Sequence, residues 1–255
     1  MKKIVLMLII SITSFIQAQE VKSHTAFYYK YTFMRDSLDK GRKFDETMVL
    51  LSDGKESIYK SFSKMRRDSI VQSNFAKGNY SINFAAMPQA RVNHEVFYSI
   101  DKKIKILDKI VNKFYGYPAE TITWKIENEK KKIGEFNCQK AVCTLDNRKF
   151  IAWFTSDIPS NDGPFRFKGL PGLIVEVYDL NSYFTFSLIG IKKQNLIITL
   201  PKNFIETTKA NFIKERTDFY ADPAGKAKMY MGNSVQLADP KVINEKFKKD
   251  NLFLN

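Results

Sequence analysis

Apolar and polar positions alternate with a period of two over most of the first 200 residues, and shift to a helical spacing after that. Between Thr25 and Asp36, Phe27, Tyr29, Tyr31 and Phe33 fall on one face while Tyr28, Lys30, Thr32 and Met34 fall on the other, which predicts a half-buried strand. Glu46 to Ser52 and Glu56 to Phe62 flank Asp53-Gly54-Lys55 and predict a hairpin. Ser63 to Ser73 reads as a short basic helix, and Asn74 to Asn93 as a long polar loop. Further hairpins are predicted at Glu95–Ile100 with Ile104–Val111, at Phe136–Leu145 with Arg148–Ser156 around Asp146-Asn147, and at Leu173–Asp179 with Tyr183–Lys192. Gly116-Tyr117-Pro118 is expected to break the chain. Thr121–Ile126 is expected to be a strand carrying Trp124, and Glu127–Lys132 a charged turn.

After Pro201, Phe204, Ile205, Phe212, Ile213, Phe219 and Tyr220 share about half a helical wheel. Asp222-Pro223 ends that helix, and Asp239-Pro240 starts a last one with Val242, Ile243 and Phe247 inward. Many strands followed by helices predict an α+β fold: one large curved antiparallel sheet, open or barrel-like but incomplete, with C-terminal helices packed against it. The domain reading is a leader over 1–19, a β-rich domain over 20–200, and a helical segment of the same domain over 201–255.

The densest local signal runs from Gly163 to Asp179. Its first ten residues hold three of the eleven glycines and two of the eight prolines. Phe165 and Phe167 alternate with Arg166 and Lys168, giving one apolar and one basic face. Leu170-Pro171-Gly172-Leu173 fits a type II turn, with proline presetting φ and glycine supplying a positive φ. The stretch is not a phosphate cradle, because it opens onto a strand and not onto a helix N-terminus. Two readings stand side by side: a corner anchoring Leu170, Leu173 and Ile174 in a core, and a ligand-contacting loop.

Charge and targeting narrow the partner classes. Lys2 and Lys3 followed by an apolar run to Ile16 read as an export signal cleaved near Ala18, with an interrupted run too short for a membrane anchor. The formal charge of +14 falls to about +12 without those two lysines. An exported basic protein has no nucleic acid to meet. Anionic envelope ligands are the alternative to lysines that only keep the surface soluble. The expected address is the periplasm, or the medium. Cys138 and Cys143 are five residues apart, about 16 Å along a regular strand, and a disulfide tolerates at most about 7 Å between Cα atoms. Both are therefore expected to be free and buried, unless a turn or bulge interrupts the strand.

Catalytic chemistry finds little purchase. The chain has only His24 and His94, neither in a nucleophile or metal motif, and Met229-Tyr230-Met231 reads as packing. No cofactor and no metal are expected. Asp157, Asp162, Glu176 and Asp179 lie around the glycine-rich stretch, with Glu176 assigned to the face of Ile174 and Tyr178. A paired-carboxylate hydrolase is therefore the alternative function, against simple pairing of Glu176 with a lysine or arginine.

Three segments carry a resemblance: Gly134-Glu135-Phe136-Asn137-Cys138-Gln139-Lys140-Ala141; Arg148 to Pro159 with Trp153-Phe154-Thr155 and Asp157-Ile158-Pro159; and Gly163-Pro164 with Gly169-Leu170-Pro171-Gly172-Leu173-Ile174. The chain resembles the GLPGLI family of exported Bacteroidetes envelope proteins, whose biochemical role is not established. The resemblance runs from about Gly134 to Lys193. It departs at the end, where members often finish Asn-Asn-Pro-Ile-Glu-Leu and this chain has Asp250 to Asn255. It implies no catalytic residues and adds an outer-membrane receptor or other envelope protein as a candidate partner. The expected function is binding of a partner protein or an apolar ligand. The candidate contacts are Trp153, Phe167, Gly169, Leu170, Pro171, Gly172, Leu173 and Ile174, in a groove lined by Phe27, Tyr29, Trp153 and Phe167.

Overall fold

The computed structural model describes residues 20–199, 203–231, 239–248 and 250–254. The expected export signal, Pro201 and Asn255 lie outside the described residues, as does the side chain of Met231. The described residues form twelve strands: β1 (Glu20–Phe33), β2 (Phe44–Ser52), β3 (Ser57–Ser61), β4 (Glu95–Tyr98), β5 (Ile104–Ile110), β6 (Lys113–Ala119), β7 (Lys125–Ile133), β8 (Phe136–Leu145), β9 (Arg148–Thr155), β10 (Leu173–Asp179), β11 (Phe184–Thr199) and β12 (Ile205–Glu206). The helices are α1 (Phe62–Ala76), α2 (Lys209–Ala221), α3 (Pro223–Met231) and α4 (Pro240–Lys248).

All strands join one sheet in the order β12-β6-β5-β4-β3-β2-β1-β11-β10-β9-β8-β7. Every pairing is antiparallel except the short contact of β12 with β6. The connectivity makes this sheet curl. Laid flat, the ten steps from β6 to β7 would span about 48 Å at ~4.8 Å per strand. Only Glu120 to Trp124 separate the end of β6 from the start of β7, a reach of at most about 22 Å. The two sides of the sheet must therefore curve toward each other.

The curl gives the sheet an inner and an outer face. On β1 the predicted aromatic stripe points inward: Phe27, Tyr29, Tyr31 and Phe33 all join the main core, where Tyr31 stacks on Phe33 at 4.8 Å and on Phe186 at 4.3 Å. The outer face is covered by α1, whose Phe62 and Met65 pack on Ala26, Val49, Leu51, Ile58 and Phe97. Ser61 caps α1, its Oγ accepting from Lys64 N at 3.1 Å. The β8–β9 turn has two residues, Asp146 and Asn147, at φ 50° and 60°, the primed geometry that matches strand twist. Cys138 and Cys143 are free and buried. They occupy opposite faces of β8, one in an outer cluster with Trp153 and the other in the main core; burial pushes their thiols up to about 11 and 12.

Several expectations fail for identifiable reasons. Gly116-Tyr117-Pro118 lies inside β6, not at a break. β6 is bordered on its outer side only by two residues of β12, so Pro118 loses no ladder bond there. Gly116 is needed because a Cβ would sit 2.4 Å from the Phe204 ring. The expected strand over Thr121–Ile126 and charged turn over Glu127–Lys132 are replaced by β7, an edge strand from Lys125 to Ile133. Lysines suit an edge that faces solvent. The reversal comes after it, where Gly134 takes φ 58°. Phe204 and Ile205 are not helical; Ile205 pairs with Tyr115, and α2 starts later behind the Thr208 cap, which accepts from Asn211 N at 3.2 Å.

Candidate functional site

The glycine-rich segment after β9 tucks against the inner face of the sheet. Its hydrogen-bonded turn is Pro164–Phe167, with Phe167 N donating to Pro164 O at 3.0 Å and Phe165 at φ 52°. The expected type II turn at Leu170–Leu173 is absent. Leu173 N donates to Ile158 O at 3.3 Å, and Gly172 has φ 158°, far from the roughly +80° that turn requires. Gly172 is used for close approach instead: a Cβ there would meet Thr155 O at 2.1 Å.

The predicted apolar and basic faces of this segment are both inside. Phe165 and Phe167 are fully buried, and Leu170 is 1% exposed. Arg166 donates to Glu120 O at 2.8 Å, holding the β6–β7 connection. Trp124 Nε1 donates to Lys168 O at 2.8 Å on the same connection. The Lys168 ammonium pairs with Asp162 and donates to Ser57 Oγ at 3.2 Å. Asp162 also accepts from Ser52 Oγ at 3.0 Å and Ser57 Oγ at 3.1 Å. The two side chains are only 3% and 9% exposed. This buried network fastens the segment to the β2–β3 hairpin.

The other nominated residues scatter. Leu173 and Ile174 join the main core, Gly169 and Pro171 are exposed, and Gly172 is buried. The groove of Phe27, Tyr29, Trp153 and Phe167 does not exist. Phe27, Tyr29 and Phe167 are packed in the inner core, whereas Trp153 lies on the outer face with Cys138 and Val175. Glu176 does not share a face with Ile174. A bulge between them turns Glu176 outward opposite Trp153, where it pairs with Lys131 at 3.0 Å. Asp157 is exposed and accepts from Asn137 N at 3.3 Å, and Asp179 closes the β10–β11 turn by accepting from Phe184 N at 2.7 Å. Each of these carboxylates thus has its own partner in its own place.

An aromatic-walled cavity lies elsewhere. It is about 610 Å³, between the inner face near Tyr31, Phe33 and Phe184 and the C-terminal segment carrying Phe219, Tyr220 and Phe247. That size is typical of small-molecule sites. Helix α2 sits on β6 through Phe212, stacked on Tyr117 at 4.8 Å. α4 joins α2 through Phe247, edge-on to Phe219 and Tyr220 at 5.5 and 5.3 Å. The chain end is pinned across the start of the β1–β2 loop, with Asn251 N and Leu252 N both donating to Arg35 O, at 2.8 and 3.0 Å. Phe253 then reaches Tyr220 at 5.1 Å.

Charged and titratable groups punctuate this apolar wall: Arg35, Arg91, His94, Asp108, Lys109, Arg216 and Asp250. Burial raises Asp108 to about 6, partly countered by the Lys109 amide and by Arg216. His94 packs edge-on against Phe165 at 5.0 Å, which joins the glycine-rich segment to the cavity wall. Burial lowers its imidazole from 6.5 to about 4. The folded value lies below the unfolded one, so this contribution to stability is present above pH 6.5 and lost as pH falls through about 4. Asp108 runs the other way, its contribution being lost as pH rises from 3.8 through about 6. His94→Phe should therefore lose less thermal stability than the wild type on acidification from pH 6.5 to about 4. Parallel melting curves would show that His94 is not a buried neutral imidazole.

Sequence reasoning missed this cavity. Phe219, Tyr220 and Phe247 were legible as inward helix positions, and His94 as a rare residue, but no spacing connects them to Tyr31.

A family described as a protein of unknown function (Porph_ging) matches residues 144–176. The matched stretch contains β9, the buried Asp162–Lys168 network and the start of β10. No curated protein matches the chain. Among solved structures, PNGF-II in one crystal form is 14% identical, with a TM-score of 0.49 over 77% of this chain and 33% of its own. A second crystal form of PNGF-II gives the same identity and score. The chain spans about a third of the length of PNGF-II. A LolA superfamily protein from Nitrosomonas europaea is 7% identical, with a TM-score of 0.28 over 68% of this chain and 86% of its own. No helix among the described residues is long and apolar enough to cross a membrane.

Proposed function

We propose that this is an exported, non-catalytic binding protein whose ligand has an apolar body, held between the inner face of the sheet and the C-terminal segment. The observation that carries this reading is the cavity of about 610 Å³ walled by aromatic side chains from both sides. The basic, apolar N-terminal run supports export. The Gly169–Ile174 letters, within a stretch matched by a family of unknown function, support placing the protein in the GLPGLI family of envelope proteins. In this reading the glycine-rich segment builds the wall behind His94 and does not itself contact the ligand.

Filling the cavity tests the reading. Ala227 lines it from α3 and is half-buried. Ala227→Trp should weaken binding of a long-chain apolar probe at least tenfold, read by calorimetry, while stability changes by under about 1.5 kcal/mol because the new ring enters open space. Unchanged binding would count against the cavity. The outer-membrane receptor implied by the resemblance is tested separately, by co-purification from solubilised envelopes; a monomer eluting alone would remove it.

A further inference from the structure

The ligand's apolar body leaves one feature of the cavity unexplained, the pair of arginines on its wall. Arg35 follows β1 and Arg91 precedes β4, and both line the cavity beside Phe33. They are neighbours: Arg35 Nη2 donates to Arg91 O at 3.3 Å. Arg35 is held in place by its flanking contacts. Its guanidinium lies over Phe44 at 5.0 Å and Phe33 at 5.7 Å, and its carbonyl takes two amides from the chain end. The Arg91 backbone is fixed by donation to the buried Glu46 carboxylate at 3.1 Å. Arg216 and Asp108, also on the cavity wall, oppose each other's charge. Neither Arg35 nor Arg91 makes an ion pair among the described residues. Two arginines on one cavity wall, with the Arg35 guanidinium reaching the Arg91 backbone, suit an oxyanion, because arginine presents a planar fork to carboxylate or phosphate.

We infer that the cavity takes an amphipathic anion: an apolar chain lying along Tyr31, Phe184 and Phe219, with a carboxylate or phosphate head received by Arg35 and Arg91. This rests on the apolar-cavity reading above and adds the ligand's class to it. The head meets the arginines where the β1–β2 loop and the approach to β4 converge, and the chain runs under α2 and α4.

Dodecanoate, dodecyl phosphate and dodecanol, titrated below their aggregation concentrations, test the inference by calorimetry. At least one of the two anions should bind about ten- to a hundredfold tighter than the alcohol, the range expected for charge-assisted hydrogen bonds. The tighter anion then tells carboxylate from phosphate as the natural head. Arg91→Gln, an exposed position whose change leaves the fold intact, should bring that anion down to the alcohol's affinity without altering alcohol binding. Arg35→Lys, which keeps the charge but loses the fork, should give an intermediate loss. Equal affinities for all three probes, or an anion indifferent to Arg91→Gln, would overturn the head-group assignment and leave the apolar cavity standing. If the alcohol and both anions all fail to bind, the cavity reading itself falls and takes the assignment with it.

Discussion

Lys168→Met is expected to lower the unfolding free energy by about 3–5 kcal/mol, the cost of stripping one partner from a buried ion pair. The Lys168 ammonium is the counter-charge to Asp162, and both side chains are almost fully enclosed. Without it, Asp162 keeps only the Ser52 and Ser57 hydroxyls, at 3.0 and 3.1 Å. Hydroxyls satisfy lone pairs but do not neutralise charge, so the carboxylate must stay buried and ionised, or take a proton. The control is Lys168→Met combined with Asp162→Asn. The amide keeps a hydrogen-bonding group beside both serines and removes the unpaired charge, so the double variant should be more stable than Lys168→Met alone. Urea unfolding followed by circular dichroism reads both. A single variant within about 1 kcal/mol of the wild type, the range of an exposed pair, would mean the network carries no weight in the fold.

Gly172→Val is expected to prevent accumulation of folded protein, a loss beyond about 4–5 kcal/mol. The reason is contact distance. A Cβ at Gly172 would lie 2.1 Å from Thr155 O and 2.6 Å from Thr155 C. These are backbone atoms of the residue paired with Leu173 at the start of the β9–β10 ladder. They cannot yield without opening that ladder, and β10 carries four residues of the main core and outer cluster directly behind it. Gly169→Ala is the contrast. Its φ of +95° is uncomfortable for alanine, but nothing lies within 4 Å of the new methyl. It should cost about 1–3 kcal/mol and still yield soluble protein. Soluble yield and melting temperature check both, and a normally stable Gly172→Val protein would refute the close-approach account.

The strand pattern was legible because its signals are local. The stripe Phe27, Tyr29, Tyr31 and Phe33 and the Asp146-Asn147 turn each need only neighbouring residues to be read, and each forms as expected. The failures share a different cause, which is context from distant chain. Lys130, Lys131 and Lys132 read as a solvated tip until the sheet order makes β7 an edge. Arg166 and Lys168 read as a basic face because nothing nearby in sequence announces the Glu120 carbonyl or Asp162 waiting inside. The Ile174–Glu176 bulge, which moves Glu176 to the outer face, leaves no trace in an apolar run. The candidate site was the least legible part. Its walls come from β1, β5, β11, α2, α3, α4 and the chain end, which no periodicity ties together, whereas most of the compositionally loud Gly163–Ile174 stretch is built into the core.

The most direct measurement is photo-labelling with a dodecanoate carrying a diazirine on its chain, followed by mapping of the labelled peptides. Label is predicted on the Phe219–Tyr220 and Phe247 peptides and on the Tyr31–Phe33 stretch, which face one another across the cavity. Label concentrated on Gly169–Ile174 or on Trp153 would contradict the account and return the binding role to the glycine-rich segment.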